Sequence, residues 1–244
     1  MISDLNFKPP TLLLAQGDAN AKFPLDIKVF APGTDKRDIY ALRYRAFIED
    51  GHIAPREDGL FSDDFDELNS TSVIGAYSNG TCVGSFRLAF GEGGRAAHSM
   101  PCQTIFDEVA TLEHAGFHTL VEFTRMVVAP ELTNTSFRTT LYATLVRAGL
   151  MVAHAARADF GLISVHPDKV RFYEMMCGFR QIARSETYPG ILAPAVLLGR
   201  DFRALDAKRA KQNPFFRITP NEIASARETL FPDEVYPVRE VAVA

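Results

Sequence analysis

Three consecutive stretches decide the fold: LVEFTRMVVAP (120–130), FRTTLYATLVRAGLMVAHAAR (137–157) and GLISV (161–165). The first is an apolar run ended by Pro130, which has no N–H to give to a ladder, so residues 120–128 read as a strand. In the second, Leu141, Leu145, Ala148, Val152 and Ala155 recur at spacings of three and four, the signature of one face of an amphipathic helix. The third is a short apolar run, read as another strand. Upstream, residues 73–77, Asn79-Gly80 and residues 82–90 predict a hairpin, because Asn-Gly accepts the positive φ angles of a type I′ turn. Strands joined first by a hairpin and later through helices predict an α/β chain, a mixed sheet with helices on its faces. Architecture alone assigns no function.

Residues 25–30 alternate enough for an opening strand, and Thr34 then caps a helix over about 35–49, stopped near Gly51. Ile39, Leu42, Ala46 and Phe47 fall on one face of it. Gly91-Glu92-Gly93-Gly94 lacks both the third glycine of a dinucleotide fingerprint and the Gly-Lys-Ser/Thr of a P-loop, and reads as a loop closing the sheet edge. Residues 106–114 read as a short helix broken by Gly116. Residues 167–177 read as a helix with proline at its start and Gly178 at its end, 179–183 as a strand, and 194–199 as a final buried strand. Beyond Arg200, residues 204–212 and a helix opened by Thr219-Pro220 and running to about Leu230 read as packing or lid helices. No linker composition separates them, so residues 1–244 are expected to form one domain, with a core over about 25–200 and a helical extension over 201–244.

The chain has 244 residues, of which 47% are hydrophobic and 23% charged, with 16 Gly, 14 Pro and a mean hydropathy of -0.03; disorder and collagen are excluded. Its longest apolar stretches, such as 12–15 and 193–198, fall well short of the roughly 18 residues of a membrane helix. Asp4 and the lack of an amino-terminal basic cluster argue against a secretory signal, so a cytoplasmic protein is expected. Cys82, Cys102 and Cys177 are too few for a disulfide framework and too scattered for a CxxC site, and Cys177 reads as a small core residue. His114 and His118 flank Gly116 without an HExxH motif, and no G-x-S-x-G elbow occurs, so neither a metal site nor a serine hydrolase is expected.

Charge is unevenly spread within the net -4: residues 1–136 hold 11 basic and 19 acidic side chains, 137–184 hold 7 and 3, and 185–244 hold 8 and 8. The basic segment is either a solvated helix face or a dock for an acidic partner or a phosphate. Nucleic acid is set aside, because the pI is about 5.9 and no zinc finger, helix-turn-helix or aromatic RNA-binding pattern is present.

The string Arg171-Phe172-Tyr173-Glu174-Met175-Met176-Cys177-Gly178-Phe179 resembles the late FYE-x-x-GF signature of GNAT-type N-acyltransferases, with one extra residue before the glycine. Four further elements resemble the acyl-homoserine-lactone synthases and the related N-acyl amino acid synthases: Arg43 to Phe47 (R-x-x-x-F), Asp63 to Asp66 (D-x-x-D), Gly84 to Leu88 (G-x-x-R-L) and Glu122 to Arg125 (E-x-x-R). Together the five lie in family order over residues 42–179. The resemblance implies a GNAT-like, mostly antiparallel twisted sheet flanked by helices, and an enzyme that moves an acyl group from a thioester to an amine. In CoA-dependent relatives a glycine-rich loop at the start of the long helix grips the pyrophosphate. Residues 132–140 contain no glycine. The resemblance therefore implies the acyl-phosphopantetheine arm of an acyl carrier protein as donor rather than free acyl-CoA, held by Ser136, Arg138 and Thr139, with no tightly bound cofactor. The chain has no tryptophan, whereas the lactone synthases usually carry one after the R-x-x-x-F helix. This favours a long-chain N-acyl amino acid synthase, with a lactone (autoinducer) synthase and a catalytically silent acyl- or protein-binding fold as alternatives.

Aminolysis of a thioester needs a neutral amine, an oxyanion donor and a proton for the departing thiolate. The resemblance gives Glu122 as base, against an ion pair inside the sheet. It gives Tyr173 as acid, against a helix tyrosine with its hydroxyl at the surface. Glu122 and Arg125 are an odd number apart and on a regular strand would face opposite ways. A β-bulge would break that parity and free the N–H of Met126 or Val127 for the oxyanion. Arg43 and Phe47 share a helix face and, with Asp63, Asp66, Arg87 and Arg125, are expected to line the substrate cleft as a charged network, one arginine holding the acceptor's carboxylate. A purely structural ion-pair network is the alternative.

Overall fold

The computed structural model describes residues 11–15, 24–92, 99–112, 114–188, 190–203 and 218–230. Asn79 and Gly80, with φ of 50° and 78°, make the tight turn of its central hairpin, as the Asn-Gly pair predicts. That hairpin belongs to a sheet built from β1 (Thr11–Ala15), β2 (Asp26–Phe30), β3 (Thr71–Ser78), β4 (Thr81–Glu92), β5 (Thr119–Val128), β6 (Phe160–Val165), β7 (Arg180–Ser185) and β8 (Ala195–Asp201). The spatial order is β1-β2-β3-β4-β5-β6-β8-β7. Every pair is antiparallel except β5 and β6, which are parallel and so need a crossover.

Helix α1 (Arg37–Glu49) and the crossover helix α2 (Thr135–Ala155) cover opposite faces of the sheet. Gly75 of β3 backs onto Ile39 of α1, whereas Gly84 of β4 backs onto Leu141 and Leu145 of α2. Since Gly75 pairs with Ser85, Gly75 and Gly84 face opposite ways across the pleat. The five apolar positions that predict α2 are all buried. Helix α3 (Val170–Cys177) follows a 3-10 turn, Pro167–Lys169, and ends at Gly178 with φ 77°, a left-handed stop. Helix α4 (Pro220–Leu230) packs on α2: Arg147 meets Glu222 at 2.5 Å, and Arg227 donates to the Ala155 carbonyl at the end of α2. Those bonds satisfy a helix-terminal acceptor with a cation where the dipole favours one.

Several expectations are corrected. The sheet opens with β1 rather than with β2, because Leu12–Ala15 pairs antiparallel with residues 27–29. Thr34 does not cap α1; its hydroxyl donates to Ala31 in the preceding turn, and the helix starts after Lys36 with Asp35 accepting the Arg37 N–H. Gly91 and Glu92 close no edge, since they extend β4 opposite Leu120 and Thr119. Where an α-helix is expected over 106–114, Asp107–Thr111 forms a 3-10 turn. Gly93, Gly94 and the segment 204–212 lie outside the described residues. Among the described residues no helix is long and apolar enough to cross a membrane.

Two irregularities in β5 create the site. Ser85 pairs with Val127 but Arg87 pairs with Thr124, so two steps on β4 match three on β5. This is a β-bulge, and Arg125 sits in it with φ 55°. Pairing between β5 and β6 also stops at Phe123 and Ile163, although both strands run on.

Candidate active site

The diverging ends of β5 and β6 border a cleft of about 290 Å³, lined by residues 123–128 and 163–166 together with Phe47, Tyr142, Tyr173 and Tyr188. Arg125 and Tyr188 also border a second pocket of about 200 Å³, with Phe61, Asp63, Phe65 and Thr104. A groove of about 350 Å³ continues from Val128, Arg138 and Tyr142 along α2 and α3, past Thr139, Phe172 and Met176.

Breaking the pleat at Arg125 puts Glu122, Thr124 and Arg125 toward the same side of the sheet. There the charged network predicted from sequence assembles. Asp63 caps the 3-10 turn Asp64–Glu67 by accepting the Phe65 N–H, and Asp66 accepts the Asp63 N–H in return. So fixed, Asp66 takes Arg43 at 2.7 Å and Arg87 at 3.3 Å, while Asp63 takes Arg87 and, at 2.6 Å, Arg125. Arg87 also donates to Thr124 at 3.0 Å. Burial works to raise both aspartates, but the arginine charges overcome it and hold both carboxyls below the usual range. Arg43, Asp66 and Arg87 are wholly buried and border neither cavity. Phe47 and Arg125 do line the cleft, with the Arg125 guanidinium 4.6 Å from the centre of the Phe61 ring.

Glu122 has no exposed surface, and its hydrogen bonds go to neither arginine of the strand pair. The Cys102 N–H donates to Oε2 and the Ser164 hydroxyl to Oε1, each at 2.9 Å. Burial raises its pKa, opposed by those bonds and by the Arg87 charge. Tyr173 is not a surface tyrosine: it is buried, lines the cleft and shares a hydrogen bond with the Tyr142 hydroxyl. Burial pushes Tyr173 well above its ordinary value and Tyr142 up to about 12, so both hold their protons. Met126 and Val127 line the cleft at the bulge.

At the start of α2, Asn134 takes the Phe137 N–H, a cap that sequence reading missed. Arg138 folds back, its Nη1 shared among the carbonyls of Ala129, Pro130 and Leu132. Thr139 borders the groove, whereas Ser136 is exposed and borders none of these cavities. Among the described residues no cluster of three or more His, Cys, Asp or Glu is arranged to hold a metal.

A family model described as "N-acyl amino acid synthase FeeM" matches residues 38–201, two thirds of the chain. The chain belongs to the FeeM family. It is thereby an N-acyltransferase, with an acyl donor and an amino acid acceptor. The solved structure of FeeM, an N-acyl amino acid synthase from uncultured soil microbes, superposes with a TM-score of 0.59 at 18% identity, over 73% of this chain and 91% of that one. The acyl-homoserine-lactone synthase LasI gives 0.52 at 14% identity, over 73% and 90%. These likenesses bear out the GNAT-like fold expected from sequence. No curated protein sequence matches the chain.

Within this FeeM-family fold, sequence reading missed Ser164, Tyr142 and Tyr188. Ser164 left a faint signal as the lone hydroxyl in an otherwise apolar strand. Tyr142 left none, since its partner is 31 positions away. Tyr188 sits in the β7–β8 connection, where burial and the nearby Glu122 charge raise its pKa.

Proposed function

We propose that the protein transfers an acyl group from the phosphopantetheine thioester of an acyl carrier protein to the α-amine of an amino acid in the cytoplasm, as one catalytic unit spanning core and tail. The observation that carries this reading is the bulge at Arg125 beside the fork of β5 and β6. It brings Arg125, Met126, Val127 and the Tyr142–Tyr173 pair to one cleft, with Glu122 joined to its edge through Ser164. The thioester enters the fork, and the Met126 or Val127 N–H receives the developing oxyanion; one such donor is worth about 3 kcal/mol. Arg125 takes the acceptor's carboxylate. Its guanidinium lines the cleft and meets Asp63 through Nη2, which leaves further N–H donors for a carboxylate. Arg43, Asp63, Asp66 and Arg87 position Arg125 and do not touch substrate.

Glu122 is the final acceptor for the proton that the α-ammonium must lose. The neutral amine forms the C–N bond, and the adduct collapses with the C–S bonding pair leaving on sulfur. Tyr173 protonates the sulfur, and the nitrogen's second proton restores the tyrosine pair through solvent in the cleft. Ser136, Arg138 and Thr139 at the start of α2 hold the donor's phosphate, where first-turn N–H groups favour an anion. The glycine-free loop before α2 suits one phosphodiester better than a pyrophosphate, which a glycine-rich loop would grip with more backbone N–H groups. To test this, the purified protein is given the same acyl group on acyl carrier protein and on CoA, with mixed amino acids, and amide products are read by mass spectrometry. Faster amide formation from the carrier protein supports the reading; preference for CoA refutes the donor assignment.

A further inference from the structure

Strand β6 is buried from Phe160 to Val165 except at Ser164. Ser164 lies two residues beyond Leu162, the register partner of Glu122, and therefore faces the same side of the sheet. It is also the first residue past Ile163, where pairing with β5 ends, so it stands in the crotch of the fork and lines the cleft. Glu122 borders neither the cleft nor the second pocket, and Cys102 occupies its Oε2. Of the cleft-lining polar groups near Glu122, Ser164 and Tyr188, it is the Ser164 hydroxyl that is hydrogen-bonded to the carboxylate, at Oε1.

We propose that Ser164 is the catalytic residue that touches the acceptor's amine, and that Glu122 acts through it as a positioning and proton-storing residue. This rests on the acyl-transfer reading above. The Ser164 O–H is committed to Glu122, which leaves the lone pairs on Oγ to accept a hydrogen bond from the α-ammonium. The ammonium proton passes to Oγ as the proton of Ser164 passes to Oε1. The serine is unchanged, the carboxylate becomes a carboxylic acid, and the nitrogen keeps the electron pair that attacks the thioester carbon. Glu122 later returns its proton to solvent by the same route reversed.

Five groups on four residues face Glu122: the Cys102 N–H and thiol from the turn Pro101–Thr104, the Ser164 hydroxyl from β6, the Arg87 guanidinium from β4 and the Tyr188 phenol from the β7–β8 connection. Burial raises the Glu122 pKa against the bonds from Cys102 and Ser164 and the charge of Arg87. The relay is competent only when Glu122 is ionised, so turnover rises with pH through that raised value. Removing the serine hydroxyl both cuts the route and takes away one bond that favours the carboxylate.

The test compares wild type with Ser164→Ala, Ser164→Thr and Glu122→Gln, measuring kcat, both KM values and the pH–rate profile. Thermal unfolding confirms that each variant folds. Ser164→Ala is expected to lower kcat by about 10²-fold or more, the range of general acid–base catalysis, while both KM values hold within about threefold. Ser164→Thr restores most of the rate, and both Ser164→Ala and Glu122→Gln lose the rising acid limb. Infrared titration of the Glu122 carboxyl band, assigned by its loss in Glu122→Gln, moves to higher pH in Ser164→Ala. An active wild type with an equally active Ser164→Ala and an unchanged profile overturns the relay and leaves the function standing. A wild type that acylates no amino acid from either donor overturns both.

Discussion

Replacing Asp66 by Asn tests whether the charged network holds the wall of the cleft. The Asp66 carboxylate is wholly buried between Arg43 and Arg87, at 2.7 and 3.3 Å, and neither guanidinium reaches solvent. Neutralising it removes the carboxylate partner of Arg43 and one of the two of Arg87, which keeps Asp63. Loss of one member of a buried ion pair costs about 3–5 kcal/mol, a large part of a total stability of about 5–15 kcal/mol. At about 2–4 °C per kcal/mol for a chain of this size, Tm should fall by ~6–20 °C. Asparagine keeps the volume and can still accept the Asp63 N–H, so the loss reports charge and not a cavity. Arg43→Met added to Asp66→Asn should recover part of it, because the unpaired cation is then gone.

The pH dependence of the same variant is an independent check. Burial alone would raise Asp66, but Arg43 and Arg87 hold it below its ordinary value. A carboxyl depressed in the folded state contributes stability that is complete above its unfolded pKa, near 3.9, and is lost as pH falls through the folded value. The Tm curves of wild type and variant, followed by circular dichroism, should therefore separate above about pH 4 and converge in stronger acid. A variant that unfolds within about 2 °C of wild type at neutral pH would refute the reasoning.

Tyr173→Phe should lower kcat by about 10- to 100-fold, at or below the low end for acid catalysis because a thiolate leaves readily, and Tyr142→Phe by less; unchanged turnover in Tyr173→Phe removes it as the acid. Arg125→Met should lower kcat/KM for the amino acid by ~10- to 150-fold, the worth of a charged hydrogen bond of about 1.5–3 kcal/mol, and a loss confined to the donor's KM would contradict its assignment to the acceptor. Gly149→Ala should destabilise, since its Cβ would lie 2.9 Å from the rings of both Phe86 and Phe123. Overpacking costs about 1–3 kcal/mol against about 1 kcal/mol gained in helix propensity, and a higher Tm would show that the rings can give way.

What sequence made legible was local. The Asn79-Gly80 turn, the apolar face of α2 and the Gly178 stop are set by neighbours in the chain. The E-x-x-R spacing required a bulge if Glu122 and Arg125 were to share a face, and the bulge is at Arg125. Contacts set by distant pairing were illegible. The insertion of β8 between β6 and β7, and the edge pairing of β1 with β2, depend on register across the sheet. The network residues were found, but Arg43, Asp66 and Arg87 lie behind the cleft, because a motif reports that residues matter without saying which of them substrate reaches. Ser164 and the Tyr142–Tyr173 bond arise from packing between elements remote in sequence.

The most direct test of the synthase assignment is mass spectrometry of lipid extracts from cells expressing wild type beside cells expressing Glu122→Gln, with no substrate assumed. A new N-acyl amino acid present with wild type and lost in the variant is the predicted result, and it identifies acceptor and chain length together. An N-acyl lactone in its place, or no new acylated amine in either culture, would contradict the account.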